Sequence, residues 1–568
     1  MNTPTFPPEF NMADYFLFDR LREGKGGSIA VRFAEQVYTY DEIAKLSQAT
    51  SEALIVADAR RGERVLIVLP DCPPYVWALF GTLAAGCVVA MGNPDAQLES
   101  LEYLLEYTRA TVVITVPKVA AHLVSLLTLP TRSSSEKEAP GTTILSNAKE
   151  ELRRVWIVPH LATGEDVNAE VEEQGLIGNA KFEAFSRAIA EASGAKTKRT
   201  RKTHRDEPSM WLFTSGSTGE PKANIHSHRD YAFNTEIYAK RTVGYREGDI
   251  TVSVPRLFFG YATGTNLFFP FAVGGSVGLF SERPTPESLV RALEMYRPTV
   301  VTNVPTMLGK LLDYDEAERA AGRTGLDLSS VRFSMSAGEA LPEALLVRWN
   351  KRFASDVYDG IGSAEMFHIY ASNRPGDIKP GSLGKVVEGY ELRILPEEAT
   401  GSAAAEVAAG EIGVLWVRGD SVSFGYWLDR DKSWRTFHGH WCRTGDLFKI
   451  DSEGYLYFAG RSDELLKVSG QWVSPLEVEE CLLKHASVAS CAVIGGEEEG
   501  LTKPKAFVVL RHGAVGSEAL SNELREFVKT NLSKHKYPRW VEFVSDLPKN
   551  DRGKIDRKAL KDAQKQAR

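Results

Sequence analysis

Short apolar runs alternate with amphipathic stretches along most of this chain. The runs are rich in valine and isoleucine and lie at residues 64–69, 110–115, 251–255, 299–305 and 331–337. Stretches with helical spacing lie between them, for example at 286–296 and 342–353. Continuous apolar strands separated by amphipathic helices are typical of parallel sheets that are covered on both faces. The pattern predicts an α/β fold with parallel-rich sheets flanked by helices.

The pattern changes near residue 460. A helix-like stretch (474–486) is followed by two strand-like runs (488–496, 505–511), a second helix-like stretch (521–532) and a last strand-like run (540–544). This is a compact α+β unit of roughly 100 residues, a size that suits a separate domain. We therefore predict domains at 1–460 and 461–568, joined at the polar turn Arg461–Asp463, with surface loops at 132–143, 195–207 and 397–411.

Composition restricts the class of protein. The 568 residues exceed what one hydrophobic core usually supports, and 43% hydrophobic with 25% charged residues is ordinary for a soluble protein. A net charge of -7 gives no reason to expect a nucleic-acid partner. The five cysteines form no CxxC pair, so we expect neither a zinc site nor a disulfide framework. The first residues lack a basic stretch followed by an apolar one, and no apolar run approaches ~18 residues, so we expect no secretory leader and a cytoplasmic protein without a membrane partner.

The stretch TSGSTGEPK (Thr214–Lys222) follows the apolar run 210–213 and suits neither a helix nor a strand. Backbone N–H groups of a glycine-rich turn can point inward around an anion, and hydroxyls and a lysine strengthen that grip. The stretch is not a Walker A loop, because Pro221 stands at the second glycine position and Ala223 follows the lysine. It predicts a phosphate-binding loop of another kind.

Five further segments follow this loop: SAGEALP (336–342), DGIGSAEM (359–366), RTGDLFKID (443–451), GRSDELLKVSGQWVSPLEVE (460–479) and LPKNDRGKIDRKAL (547–560). Together they resemble, in the same order, the motifs of the acyl-adenylate-forming superfamily of AMP-dependent synthetases and ligases. That superfamily includes acyl-CoA synthetases, peptide-synthetase adenylation domains and luciferases. The resemblance implies a large N-terminal domain with a β-subdomain and a small, mobile C-terminal domain joined by a hinge.

The resemblance also implies ATP, Mg²⁺ and coenzyme A, with roles for matching residues. Glu365 would ligate Mg²⁺, and Lys554 would bridge the substrate carboxylate and the α-phosphate as a catalytic residue. The phosphate loop would comprise Thr214, Ser215, Gly216, Ser217, Thr218, Gly219 and Lys222. The adenine segments would comprise Gly338, Glu339, Ala340, Asp359, Gly360, Ile361, Gly362 and Ser363. Asp446 would bind the ribose with Arg461 nearby, Phe458 would belong to the nucleotide site, Asp463 would be the hinge, and Lys467 and Gly470 would lie along the CoA path.

Two positions depart from the superfamily pattern. Ile361 stands where the motif has an aromatic residue, so adenine would meet an aliphatic face. Ala364 stands where the motif has a threonine, which removes a hydroxyl expected near the phosphate or Mg²⁺. Ser363 offers a neighbouring hydroxyl as a partial replacement.

The segments LFFGYATG (257–264) and GIGSAEMFHIY (360–370) most resemble benzoate-CoA ligases. By that resemblance a flat aryl pocket is lined by Phe259, Gly260, Tyr261, Gly362, His368 and Ile369. Gly260 replaces an alanine of the benzoate pattern, and loss of that methyl predicts room for a small ring substituent. The favoured substrate is 2-aminobenzoate (anthranilate), followed by benzoate or another small substituted benzoate.

Two other functions remain open at this point. A stand-alone adenylation enzyme would load an aryl acid onto a carrier protein. A non-catalytic homologue would sense nucleotide or acyl-adenylate, and the missing motif hydroxyl at Ala364 is the feature that supports this alternative. The residues do not decide whether the acceptor thiol is CoA or a carrier protein, or whether an acyl carrier protein or acyltransferase acts downstream. They also leave open the pathway and the oligomeric state, for which a homodimer is one alternative.

Overall fold

The computed structural model describes residues 3–128, 150–159, 181–192, 200–215, 221–461, 464–468, 471–498, 501–511, 513–548 and 555–566. The chain divides into two compact units. The first comprises Met1–Ile378, Val387–Tyr390 and Arg418–Cys442, and the second comprises Lys379–Val386, Glu391–Val417 and Arg443–Arg568. Residues 443–460 therefore group with the C-terminal residues, and the predicted boundary at 460/461 stays a prediction.

One sheet of the first unit has the strand order β7-β6-β5-β3-β4-β8-β9. Neighbouring strands run parallel except β8 and β9, which form an antiparallel pair. Leucines and valines of its strands pack with the flanking helices in one buried cluster. The strands are β3 (Arg64–Val68), β4 (Val88–Met91), β5 (Val112–Thr115), β6 (Arg154–Ile157), β7 (Phe182–Ala184), β8 (Pro208–Ser215) and β9 (Pro221–Ser227).

The other large sheet has, within the first unit, the order β15-β14-β13-β12-β10-β11-β1-β2. Its central strands are parallel, and both edge pairs, β14–β15 and β1–β2, are antiparallel. The strands are β1 (Ile29–Phe33), β2 (Gln36–Thr39), β10 (Ile250–Ser253), β11 (Ser276–Leu279), β12 (Val300–Asn303), β13 (Phe333–Ser336), β14 (Asp356–Gly362) and β15 (Ile369–Ser372). A short hairpin of the first unit begins with β19 (Phe437–His438).

Helices cover these sheets, and local signals explain several of their ends. Thr39 and Glu42 form a reciprocal capping box at the start of α2, and Thr285 with Pro286 starts α10. The helices of the first unit are α1 (Asp19–Arg22), α2 (Tyr40–Val56), α3 (Pro73–Ala84), α4 (Leu98–Thr108), α5 (Pro117–Thr128), α6 (Phe185–Ala192), α7 (His228–Asn234), α8 (Gly260–Thr263), α9 (Phe269–Val273), α10 (Pro286–Tyr296), α11 (Pro305–Ala320), α12 (Glu343–Phe353) and α13 (Arg430–Thr436), with π-helical turns at Asp14–Phe18, Thr235–Val243 and Gly264–Phe268 and a 3₁₀ turn at Ala364–Met366.

The second unit combines a β-subdomain with a C-terminal α+β layer. The subdomain pairs β17-β18-β20-β21, and the C-terminal layer contains the sheet β24-β25-β26 and the hairpin β22-β23. The strands are β16 (Lys385–Val386), β17 (Glu391–Leu395), β18 (Gly413–Arg418), β20 (Trp441–Ile450), β21 (Leu456–Arg461), β22 (Leu466–Val468), β23 (Gln471–Val473), β24 (Val488–Glu498), β25 (Leu501–Leu510) and β26 (Trp540–Phe543). The helices are α14 (Pro475–Leu483), α15 (Glu518–Asn531) and α16 (Arg557–Gln566), with a 3₁₀ turn at Lys534–Lys536.

The predicted fold class is confirmed. Each apolar run named above contains a strand, and the two amphipathic stretches of the first unit are α10 and α12. The predicted loop at 397–411 has no helix or strand, whereas residues 132–143 and part of 195–207 lie outside the described residues. All five cysteines are free and buried. None of the helices in the described ranges has the length and apolarity needed to cross a bilayer.

Candidate functional site

The predicted phosphate loop connects the antiparallel strands β8 and β9, and Thr214 on β8 is in register with Lys222 on β9. Thr214 and Ser215 end β8, and Pro221 and Lys222 begin β9, so the expectation that this stretch suits no strand is wrong for these four residues. The predicted residues Gly216, Ser217, Thr218 and Gly219 lie outside the described residues, as does the side chain of Ser215. The Lys222 ammonium lies 2.5 Å from Asp429 Oδ2, and the two side chains are only 17% and 27% exposed. The cation predicted to hold phosphate is therefore paired with a carboxylate that the motifs do not contain.

Glu365 lies in the 3₁₀ turn after β14, and three groups hold this turn. The Tyr426 hydroxyl donates to Glu365 Oε1 at 2.7 Å, and the Ser423 amide donates to the Glu365 carbonyl at 2.9 Å. His226 Nε2 donates to the Ala364 carbonyl at 2.6 Å, while its Nδ1 lies 2.9 Å from Asp230 Oδ2. The turn is thus tied to β9 through His226 and to the segment around Tyr426.

Asp359 is the last residue of β14 that pairs in parallel with β13, and its carboxyl is buried. It is 3% exposed, and its Oδ1 has no hydrogen-bond partner among the described residues. Burial raises the pKa of Asp359 to about 8, so the carboxyl is mostly protonated at neutral pH. A buried, unsatisfied polar atom at the end of a parallel pairing is suited to a ligand contact, and the adenine role of Asp359 stays a prediction.

Glycines at 360 and 362 allow β14 and β15 to approach closely. A Cβ added at Gly360 would lie 2.8 Å from the Ala371 carbonyl oxygen, and one at Gly362 would lie 2.5 Å from the His368 carbonyl oxygen. Both contacts are with backbone, which cannot move aside. The motif glycines are therefore required by the packing of the two strands.

The other predicted adenine residues follow β13 and β14. Gly338 has φ +89°, a conformation that favours glycine. Glu339 Oε2 accepts a hydrogen bond from the Thr306 hydroxyl at 2.7 Å, at the start of α11, and Ala340 follows. Ile361 is half-buried, with a strand irregularity between it and Gly362. The buried Ser363 hydroxyl has no partner among the described residues, so a hydroxyl does lie beside Ala364.

His368, one of the predicted aryl-pocket residues, is packed among aromatic rings. It is 3% exposed, and its ring contacts those of Tyr261 (centroids 5.3 Å apart) and Phe269 (4.8 Å). Burial lowers the pKa of His368 to about 3, so the imidazole is neutral. Its Nε2 lies 3.0 Å from the Tyr261 carbonyl, which can only accept, so Nε2 carries the hydrogen. Nδ1 is left as a buried acceptor with no partner in the described part of the chain.

Gly260, the first residue of α8, and Gly264, the first residue of the π-helical turn that follows α8, have different neighbours. A Cβ added at Gly260 would lie 2.8 Å from Leu212 Cδ1, and one at Gly264 would lie 2.6 Å from His368 Cδ2. Leu212 of β8 therefore already fills the space beside Gly260, and the prediction that the missing methyl leaves room for a ring substituent is wrong. Gly264, which the sequence reasoning did not select, is what lets His368 approach the helix.

The remaining predicted pocket residues lie around these groups. Phe259 precedes α8, and its ring contacts that of Phe258 at 4.4 Å. Ile369 is buried on β15 in register with Gly362. The Tyr261 hydroxyl is buried and has no partner among the described residues.

In the second unit, Asp446 and Arg461 are paired across β20 and β21, with Arg461 Nη1 donating to Asp446 Oδ1 at 3.0 Å. Phe458 packs its ring 5.2 Å from that of Phe448, and Lys467 is exposed on β22. Three predicted residues lie outside the described residues: Asp463, Gly470 and Lys554.

A buried ion pair that the motifs did not reveal anchors α16, the helix that follows the Lys554 segment. Arg557 Nη1 and Nη2 donate to the two Glu479 carboxylate oxygens at 2.5 and 3.0 Å. The Val493 amide also donates to Glu479 at 2.6 Å.

The described residues contain no cluster of three or more potential metal-ligating side chains. Mg²⁺ in nucleotide sites usually takes one or two protein carboxylates and completes its shell with phosphate oxygens and water. Tyr426 donates to one oxygen of Glu365, which leaves the other to act as a ligand. Glu365 therefore fits a magnesium ion that arrives with ATP.

Other residues of the site were missed because nothing in the motifs marks them. His226 and Asp230 are spaced i, i+4 immediately after the phosphate loop, which was a usable signal. Tyr426 and Asp429 lie in FGYWLDR (424–430), far in sequence from the residues that they contact.

Two family models match this chain. The AMP-binding enzyme family matches residues 18–427, and the AMP-binding enzyme C-terminal domain matches residues 477–554. Benzoate–CoA ligase of Thauera aromatica is 36% identical over 567 residues, covering 99% of this chain and 98% of that protein. Anthranilate–CoA ligase of Pseudomonas aeruginosa is 31% identical over 525 residues, covering 91% and 89%.

Solved structures show the same relationship. The anthranilate CoA ligase AuaEII in complex with anthranoyl-AMP has a TM-score of 0.85 and 33% identity, covering 100% of this chain and 99% of that one. A benzoate CoA ligase from Burkholderia xenovorans LB400 has a TM-score of 0.80 and 33% identity, covering 97% and 99%. The chain belongs to the family of AMP-binding enzymes, with both the large domain and the C-terminal domain of that family.

Proposed function

We propose that this protein is an AMP-forming aryl-CoA ligase whose best substrate is 2-aminobenzoate. The aryl carboxylate would attack the α-phosphate of ATP and release pyrophosphate, and the CoA thiol would then displace AMP from the aryl-adenylate. Similarity over the whole chain to benzoate– and anthranilate–CoA ligases supports this reaction. The same relatives favour free CoA over a carrier-bound thiol as the acceptor.

The first step requires a carboxylate to approach a polyanion, so it depends on stabilising negative charge. Lys222 and Glu365 belong to the same unit, and each is held by a side chain of the segment at 426–429. Mg²⁺ bound with ATP would neutralise phosphate charge at Glu365. The motif assigns the carboxylate–phosphate bridge to Lys554 and the ribose to Asp446.

The preference for 2-aminobenzoate is inferred from His368. Its buried, neutral ring presents Nδ1 as an acceptor with no protein partner among the described residues. A buried acceptor without a donor costs about 1–3 kcal/mol, which a donor on the substrate would recover. The amino group of 2-aminobenzoate supplies such a donor, and an unsubstituted ring does not.

Benzoate is the second candidate, and the packing at Gly260 favours it. Because Leu212 fills the space beside that glycine, the missing methyl does not by itself enlarge the pocket. The two candidates therefore differ in whether the hydrogen bond or the limited space dominates.

Pyrophosphate release with ATP, Mg²⁺ and CoA should be compared for 2-aminobenzoate, 2-methylbenzoate and benzoate. The methyl and amino groups are similar in size, so their ratio isolates the hydrogen bond. We expect kcat/KM for 2-aminobenzoate to exceed that for 2-methylbenzoate by about ten-fold, equivalent to about 1.4 kcal/mol.

Equal kcat/KM for the amino and methyl acids would refute the role of His368 Nδ1. A preference for benzoate over both would make this protein a benzoate–CoA ligase. Pyrophosphate release without formation of an aryl-CoA thioester would point to a carrier protein as the acceptor.

A further inference from the structure

The segment Ser423–Asp429, which we call the brace, runs along β9 as an added antiparallel strand. The Phe424 amide donates to the Ile225 carbonyl at 2.9 Å, and the Ile225 amide donates to the Gly425 carbonyl at 3.1 Å. The Trp427 amide donates to the Ala223 carbonyl at 3.0 Å. The brace is therefore fixed to the strand that leaves the phosphate loop.

Tyr426 projects from the brace to the predicted cation ligand. The residue is 8% exposed, and its hydroxyl donates to Glu365 Oε1 at 2.7 Å. Its ring packs 5.4 Å from that of Phe437. Among the described residues, this hydroxyl is the one hydrogen-bond donor to the Glu365 carboxylate.

The backbone of the brace reinforces the contact. The Ser423 amide donates to the Glu365 carbonyl at 2.9 Å, so main chain and side chain of Glu365 are both held by the brace. A glutamate side chain has three rotatable bonds, and a ligand that is free to rotate must be ordered when the metal binds. Fixing one carboxylate oxygen removes much of that freedom in advance.

We propose that Tyr426 is a positioning residue that sets the Glu365 carboxylate for the divalent cation of bound ATP. The inference rests on the proposed function, because the cation is the one that accompanies ATP. It does not require Tyr426 to touch ATP or the aryl acid. Its signature is a change in metal dependence rather than a general loss of nucleotide affinity.

The test is calorimetric titration of full-length protein with ATP in the absence of aryl acid, with Mg²⁺ and separately with EDTA. Tyr426→Phe keeps the ring and removes only the hydroxyl. We expect it to raise the Kd of Mg²⁺-ATP about five- to ten-fold and to change the Kd of metal-free ATP less than two-fold. Tyr40→Phe is the control, because Tyr40 is also buried and its hydroxyl donates to the Gly275 carbonyl at 2.6 Å.

A double variant separates positioning from general destabilisation. If Tyr426 acts through Glu365, adding Tyr426→Phe to Glu365→Gln should not further weaken binding of Mg²⁺-ATP. Additive effects, or equal weakening of ATP with Mg²⁺ and with EDTA, would overturn the inference. Failure of the wild-type protein to bind Mg²⁺-ATP at all would overturn the proposed function together with it, whereas normal wild-type binding and a silent Tyr426→Phe would overturn only the role of Tyr426.

Discussion

Replacement of Gly264 by alanine should displace His368 and weaken binding of the aryl acid. The added Cβ would lie 2.6 Å from His368 Cδ2, 2.7 Å from its Nε2 and 3.2 Å from Phe269 Cζ. The ring is fully buried and is held through its Nε2 hydrogen bond to the Tyr261 carbonyl. The histidine has little room to move without losing that bond.

The magnitude follows from three terms. Overpacking a close-packed site costs about 1–3 kcal/mol, and loss of the Nε2 hydrogen bond adds about 1 kcal/mol. Gly264 has φ -67°, an ordinary helical value, so alanine recovers up to about 1 kcal/mol of helix propensity. The net destabilisation should be about 1–3 kcal/mol.

Gly260→Ala is the matched control, four residues earlier at the start of α8. Its Cβ would meet the far end of the Leu212 side chain, which can rotate away, so we expect less than about 1 kcal/mol. Thermal unfolding gives the stability of each variant, and pyrophosphate release gives kcat/KM for 2-aminobenzoate. We expect at least a ten-fold loss of kcat/KM for Gly264→Ala relative to Gly260→Ala. Equal stability and equal kcat/KM for the two variants would refute the packing argument.

Three other predictions concern titratable and charged side chains. The pKa of Asp359 is about 8 in the folded state and near 3.8 in the unfolded state, so between these pH values the folded state holds a proton that the unfolded state has lost. The free energy of unfolding should therefore fall as pH rises from about 4 to 8, by up to about 1.4 kcal/mol per pH unit. Asp359→Asn should remove this slope in unfolding midpoints measured across pH, and an unchanged slope would contradict the assignment. Glu479→Ala removes the closer carboxylate partner of Arg557 and leaves it with Glu464, 3.3 Å from its Nε, so it should destabilise the second unit by about 1–3 kcal/mol, measured by thermal unfolding; a smaller loss in a double variant that also carries Arg557→Met is the check. Lys554→Ala should slow pyrophosphate release at least about 100-fold while the Kd of ATP changes only a few-fold, and parallel losses would mean that the lysine serves ground-state binding.

Much of the fold was readable because its signals are local. The strand and helix patterns at 299–305 and 286–296 depend only on the side-chain period, and that period is set by backbone geometry. The strand-like and helix-like stretches from 474 to 544 correspond to α14, β24, β25, α15 and β26.

What lay beyond the sequence was the identity of neighbours across long separations. Leu212 occupies the space beside Gly260, Tyr426 holds Glu365 across 61 positions, and Asp429 pairs with Lys222 across 207. Sequence spacing cannot show such pairs, because they exist only after two sheets and the brace have packed. The sequence by itself therefore determined which chemical groups this protein carries and in which elements they lie. The tertiary structure alone decided which group each one meets, because that depends on how close-packed elements fill the space between them.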